Sequence, residues 1–393
     1  MEMAGHGGIR PDHHSCRPDR GHRAESVPMN QASTAATPAA GKTRQPSPLS
    51  LFEFWPGWVF YTPVVLYWIL MGLRHRDFSL PTAANPRIET GGLCGESKTS
   101  ILDMAGDEAR RWIAPYTTIV TGSTDDARAA RMALEHAGLS LPVVLKPDIG
   151  CNGTGVKLIE SPDDLALTLD QYPRGIRLVL QRLIPFEHEA GVFYIRHPDE
   201  AQGRITSLTY KEAPVLIGDG RSTVRQLIDA DARTRLVPHL YLPRLGERVH
   251  DILPTGEPLR LVFAGNHCKG SIFRNGADDI TPALVEQVDK IMQDVPDFHF
   301  GRIDLKFESI AALRRGSGFE IIEINGVGSE ATHIWDSRTT LREAYATQFL
   351  HYRETFRIGA KKRKAGWRTS GAFTMLRYWR LQKRLLASYP LND

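Results

Sequence analysis

Two short runs hold the residue types that could do chemistry. In VVLKPDIGCNGTGV an apolar strand delivers Lys146 at its end, and Gly150, Gly153 and Gly155 let the chain turn back tightly. Backbone N–H groups of such a loop can surround phosphate oxygens. No G-K-[ST] closes it, so it is not a Walker loop, and a strand rather than a helix is expected next, which excludes a dinucleotide fingerprint. A plain glycine hairpin would have the same letters. In FGRIDLKFES alternation sets Arg302, Asp304 and Lys306 on one side of a strand, and in FEIIEINGVGSE it sets Glu323 and Asn325 together with Ile322 and Ile324 opposite. If these strands pair, two carboxylates and an amide meet. Carboxylates in apolar strands are costly unless a cation compensates, and an all-oxygen set selects Mg2+ or Mn2+ over zinc. Ordinary salt bridges on a surface strand are the competing reading.

The elements that must hold these residues follow from the surrounding pattern. YTTIV, RLVLQRLI, AGVFYIRH, RITSLTYK and LRLVFAG read as strands beside the two acidic ones. STDDARAARMALEHAG reads as a helix that Ser123 or Thr124 can cap, with Asp125 and Asp126 at its positive end, and SPDDLALTLDQY reads as a second. The 393 residues carry 49 basic and 45 acidic groups, a net charge of +4, which fits a globular protein mixing helices and strands. Four scattered cysteines exclude a zinc ribbon and a disulfide framework and suit reduced cytoplasmic thiols. Cys151, inside the loop, reads as a small packing residue.

Both ends of the chain differ from this texture. Residues 1–48 read as a disordered leader, in which four histidines lack any fixed geometry for a metal. Residues 49–80 contain Phe54 to Leu73, an uncharged run about 30 Å long if helical. Its tryptophans suit a headgroup boundary, and Arg74 and Arg76 would keep the downstream chain cytoplasmic. Pro56 and Pro63 interrupt the run, so an interfacial or packed segment competes with a span. From Arg353 to Arg384 there are eleven Lys/Arg against Glu354 alone, a tail (residues 346–393) that reads as a separate basic amphipathic object. It suits an anionic membrane surface; a solvated charged helix competes, and no nucleic-acid module accompanies it.

The order of pieces over residues 95–345 resembles the ATP-grasp superfamily. The resemblance implies an α+β fold in which two lobes, residues 81–200 and 201–345, clamp ATP and Mg2+ and form an acyl phosphate that an amine then attacks. It implies that Lys98 (GESKTSIL) and Lys146 meet the phosphates, and that Gln181, Leu183 and the neighbouring hinge backbone hold the adenine. Glu189, with Glu187 as rival, would hold the ribose and Lys211 would lie near the nucleotide. It also implies Asp304, Glu323 and Asn325 as metal ligands and Arg302 as the partner of the transferred phosphoryl group. The KEAPVLIGDGRSTVRQLI segment is similar to one in cyanophycin-synthetase-like and glutathione-forming ligases. Two departures limit the likeness: only a short run separates Pro81 from Glu96 where a substrate lobe is usual, and the serine-proline ending of D-alanine ligases is missing. His267, Lys269, Glu330 and His333 are candidates for the acceptor side. A membrane-associated regulator that binds ATP without ligating is the alternative reading; the substrates and the oligomeric state stay open.

Overall fold

The computed structural model describes residues 48–263, 265, 266 and 269–390. The predicted leader, His267 and Cys268 therefore lie outside the described residues, apart from Pro48. Helices α1 (Gly57–His75), α2 (Lys98–Leu102) and α3 (Asp107–Arg110) come first. β1 (Tyr116–Val120), α4 (Asp126–His136), β2 (Val143–Pro147), β3 (Lys157–Ile159), α5 (Pro162–Leu169) and β4 (Arg177–Arg182) then build an antiparallel sheet in the order β1-β4-β2-β3. Ala130 and Leu134 of α4 and Leu165 and Leu169 of α5 bury its outer face against Val143, Leu145 and Leu178. The cap of α4 is Asp125, which accepts from the Arg128 N–H, not the hydroxyl predicted. Ser123 instead donates to Asp126, because a carboxylate is the stronger acceptor.

The second sheet is larger. It draws on β5 (His188–Ile195), β6 (Arg204–Glu212), β9 (Ile272–Asn275), β10 (Phe300–Phe307) and β11 (Phe319–Asn325), in the order β11-β10-β5-β6-β9, all antiparallel. Between β6 and β9, β7 (Val215–Ile217) pairs with β8 (Pro258–Arg260) beside α6 (Val224–Ala230) and α7 (Leu242–Leu245). Only the start of the predicted LRLVFAG strand is formed. α8 (Pro282–Gln293) and α9 (Ile310–Arg314) cover the sheet, with Leu284, Val288, Ile291 and Leu313 packed onto Val192, Ile303, Leu305 and Ile321. The architecture is thus α+β with two lobes, as predicted. The chain changes sheet between Arg182 and His188, ahead of the boundary predicted at residue 200, because β5 is hydrogen-bonded between β10 and β6.

The apolar N-terminal run and the basic tail are both part of the body. α10 (Leu341–Lys364) carries a capping box from Thr340 and Glu343 and receives α1 along its length. Phe60 of α1 stacks on Phe52 and Tyr345, with centroids 5.5 and 5.3 Å apart, and Trp335 lies 4.8 Å away. Trp58, Leu66, Leu70 and Leu73 stay exposed on its other side. Among the described residues no helix is long and apolar enough to cross a membrane. The tail divides in two: Lys361, Lys362 and Arg363 of α10 pair with Asp199, Asp297 and Asp77 of the body, whereas the cations of α11 (Ala372–Leu386) have no ion pair among the described residues.

Candidate active site between the two sheets

A cavity of about 490 Å³ lies between the sheets, a volume suited to a small-molecule ligand. The glycine loop between β2 and β3 forms one wall and β10 with β11 the other. Lys146, at the end of β2, donates to Gln181 Oε1 at 2.8 Å and to the Ile322 carbonyl at 2.9 Å. That carbonyl is available because the β10–β11 register shifts between Asp304/Glu323 and Leu305/Ile321, leaving Ile322 without a partner across the ladder. The bulge also brings Ile322 to the cavity, where simple alternation placed it on the opposite face. Burial pushes the Lys146 ammonium down to about 8, against the pull of the Glu323 carboxylate.

Lys98 begins α2, whose cap is Ser97. Its Nζ donates to the Gly150 carbonyl at 2.7 Å and stands 3.4 Å from Glu323 Oε1. Asp148 fixes this helix to the root of the loop, accepting from the Thr99 N–H and hydroxyl at 2.9 and 3.0 Å. Gly150 and Gly153 line the cavity. Gly155 does not: at φ +71° it turns the chain outward, and a Cβ there would sit 3.0 Å from Pro147 and 3.3 Å from Tyr389.

Across the cavity, Asp304 and Glu323 are direct neighbours in the β10–β11 register, as are Arg302 and Asn325. Asp304 accepts from Arg302 Nε (2.8 Å) and Nη2 (3.0 Å) and from Asn325 Nδ2 (3.2 Å), and Lys211 lies 3.0 Å away. Burial alone would raise its carboxyl; Arg302 and Lys211 outweigh it and hold the group well below the usual carboxylate range. Glu323 is likewise lowered, since Lys98 and Lys146 outweigh its burial. Among the described residues no three His, Cys, Asp or Glu side chains gather to hold a metal by themselves. The donor set is two carboxylates and one amide whose Nδ2 is engaged and whose oxygen remains to accept. Such a set fits a hard divalent ion completed by water and phosphate oxygen.

The strip joining the sheets carries the remaining predicted positions. Gln181, Leu183, Glu189 and Lys211 line the cavity. Gln181 holds Lys146 and donates to the Ala114 carbonyl, so it positions the lysine. Glu189 is ion-paired with Lys211 at 2.9 Å, whereas Glu187 is exposed and outside the cavity wall, which removes it as the rival. Of the residues read as acceptor candidates, Glu330 lines the cavity, while His333 is half-buried against Ser207 (2.7 Å) and does not; Lys269 does not either. Cys151 lines the cavity with its thiol pushed up by burial, the opposite of an activated nucleophile. Among the lining residues that the sequence did not mark as belonging to a site are Tyr61, whose apolar run suggested a membrane boundary, Gln382 of the tail, and Glu96. Glu96 sits two residues before Lys98; burial raises its carboxyl and its Oε2 has no hydrogen-bond partner.

No family model and no curated protein matches the chain. Among solved structures it is similar to a bifunctional glutathione synthetase from Pasteurella multocida, at 14% identity and a TM-score of 0.33, over 64% of this chain and 36% of that one. It is similar to a D-cycloserine synthetase at 14% identity and a TM-score of 0.36, over 67% of this chain and 70% of that one. It is also similar to the D-alanine–D-alanine ligase of Bacillus anthracis, at 12% identity and a TM-score of 0.38, over 70% of each chain. The chain spans about a third of the length of the glutathione synthetase.

Proposed function

We propose that this chain, whose fold is of the ATP-grasp type, is an ATP- and Mg2+-dependent ligase that activates a carboxylate as its acyl phosphate for attack by an amine. One observation carries the reading: Lys146, delivered with the glycine loop by one sheet, touches the Ile322 carbonyl of the other, one residue before Glu323. A triphosphate held by the loop would therefore lie against the acids. Transfer of a phosphoryl group to a carboxylate brings two anions together, so fixed cations must offset their repulsion. Lys98, Lys146 and Arg302 do so from three elements. Mg2+ bound by Asp304, Glu323 and Asn325 would screen the phosphate charges. Gln181 keeps Lys146 aimed, the Leu183 strip offers backbone to the adenine, and Glu189 with Lys211 faces the nucleoside. No side-chain nucleophile is needed, consistent with the inert Cys151 thiol.

Measuring ADP and phosphate release with pooled carboxylic acids and amines tests the reading. The wild type is expected to turn over only when both pools are present, and Glu323→Ala to lose at least about a hundredfold of that rate. Nucleotide binding with no turnover on any pool would favour an ATP-binding regulator, and a stable phosphorylated acceptor would make the protein a kinase.

The working place we assign is the anionic, inner face of a membrane. α1 exposes Trp58 (77%), Leu66, Leu70 and Leu73 beside Arg74 and Arg76. α11 has four cations, no acid, and exposed Phe373 (91%) and Trp379. Apolar side chains bordered by unopposed cations match an anionic bilayer surface.

A further inference from the structure

Among the described residues five carboxylates line the cavity, and their partners separate one of them from the rest. Asp304 is held by Arg302 and Lys211, Glu189 by Lys211 and Glu323 by Lys98. Glu96 is driven towards its neutral form by burial. Glu330 has partners of another kind: its Oε1 accepts from the Tyr61 hydroxyl at 2.7 Å and from Gln348 Nε2 at 2.6 Å, both neutral donors. The nearby guanidinium of Arg302 bonds to the Glu330 main-chain oxygen (3.2 Å) and is committed to the Asp304 carboxylate. A half-buried carboxylate whose side-chain donors among the described residues are neutral, and whose attraction to Arg302 is shared with Asp304 and Glu323, has room for a further cation.

Its position is also well fixed. The Gly328 N–H donates to the Gly92 carbonyl at 2.7 Å, and Ser329 Oγ bonds to the Gly326 carbonyl at 2.6 Å while accepting from the Arg302 N–H. Tyr61 comes from α1 and Gln348 from α10, so the two helices packed together through Phe60 and Tyr345 aim this one side chain. The rings of Tyr61, Tyr352 and Phe273 line the cavity as well, and aromatic faces favour a cationic group.

From this we infer that Glu330 binds the amine acceptor in its ammonium form, and that α1 supplies, through Tyr61, part of the acceptor wall. The inference rests on the ligase reading. The substrate class is a primary amine, cationic in solution, with an apolar portion next to the nitrogen. In the transfer step the C–N bond forms as the bond from the acyl carbon to the phosphate oxygen breaks. Of the two protons the ammonium loses, one leaves on inorganic phosphate and the other passes to water.

Hydroxylamine, an uncharged nucleophile at neutral pH, separates the two roles. Full-length wild type and Glu330→Gln are each given ATP, Mg2+ and the pooled carboxylic acids, with either pooled primary amines or hydroxylamine. Loss of a charged hydrogen bond should lower the ratio of amine-dependent to hydroxylamine-dependent turnover at least about tenfold in Glu330→Gln, through KM for the amine. Tyr61→Phe, which keeps the carboxylate but frees it, should move the same ratio in the same direction by less. An unchanged ratio in Glu330→Gln, with hydroxamate still formed, overturns the inference and leaves the ligase reading standing. A wild type that forms neither product removes both.

Discussion

At the scale of single residues, Lys146 is where charge, burial and backbone geometry meet. With its ammonium at about 8 in the free protein, it is mostly cationic at neutral pH and mostly neutral above that value. A bound triphosphate stabilises the cation, so binding below pH 8 takes up no proton at this site and binding above it must take up one. The dissociation constant for ATP should therefore be flat from pH 6.5 to about 8 and then rise by up to roughly tenfold per unit. Equilibrium titration of nucleotide across that range checks it, and a constant affinity up to pH 9.5 would separate Lys146 from the phosphates. The letters alone singled out Lys146, Asp304 and Glu323, because an ion in an apolar strand stands out against its neighbours, whereas Lys98, at the start of a helix, came only from the family resemblance. They gave no hint of the Ile322 carbonyl, since a bulge adds a residue without disturbing the hydrophobic pattern around it.

At the scale of elements, the first sheet was readable because α4 and α5 bury one face with a helical period while its central strands β2 and β4 are short, continuously buried runs. The sheet boundary was not, since a hairpin and a change of sheet use similar loops. The role of the C-terminal tail was equally illegible, as it depends on contacts distant in the chain. Tyr389, just after α11, donates to the Ile149 carbonyl at 2.8 Å and packs against Gly155 and Tyr172, outside the glycine loop. Tyr389→Ala should loosen that loop: amide exchange over residues 149–156 should quicken and ATP affinity should fall about tenfold, with the exchange of the second sheet unaltered. Equal exchange in both proteins would show that the tail does not brace the loop.

At the scale of the whole molecule, α1 shows how one sequence signal can carry two meanings. Its uncharged length suggested a span, yet one side is an aromatic contact with α10 and Trp335, and Tyr61 reaches the cavity. What remains of the membrane signal is a surface property, with a definite test. Full-length protein should float with phosphatidylcholine vesicles containing phosphatidylglycerol and not with phosphatidylcholine alone, and 0.5 M salt should weaken the association as screening shortens to a few ångström. Leu66→Asp with Leu70→Asp should abolish it without changing the ATP affinity. Recovery of the wild type in the soluble fraction with both vesicle types would leave the exposed side of α1 to another partner.

The short bond from Lys98 to the Gly150 carbonyl ties the glycine loop to the ammonium proposed for phosphate. An ammonium carries three N–H groups, so one can stay on the peptide oxygen while another turns to a phosphate oxygen. On that reading the turn at Gly150 keeps its anchor when nucleotide arrives, and one side chain then holds both loop and ligand.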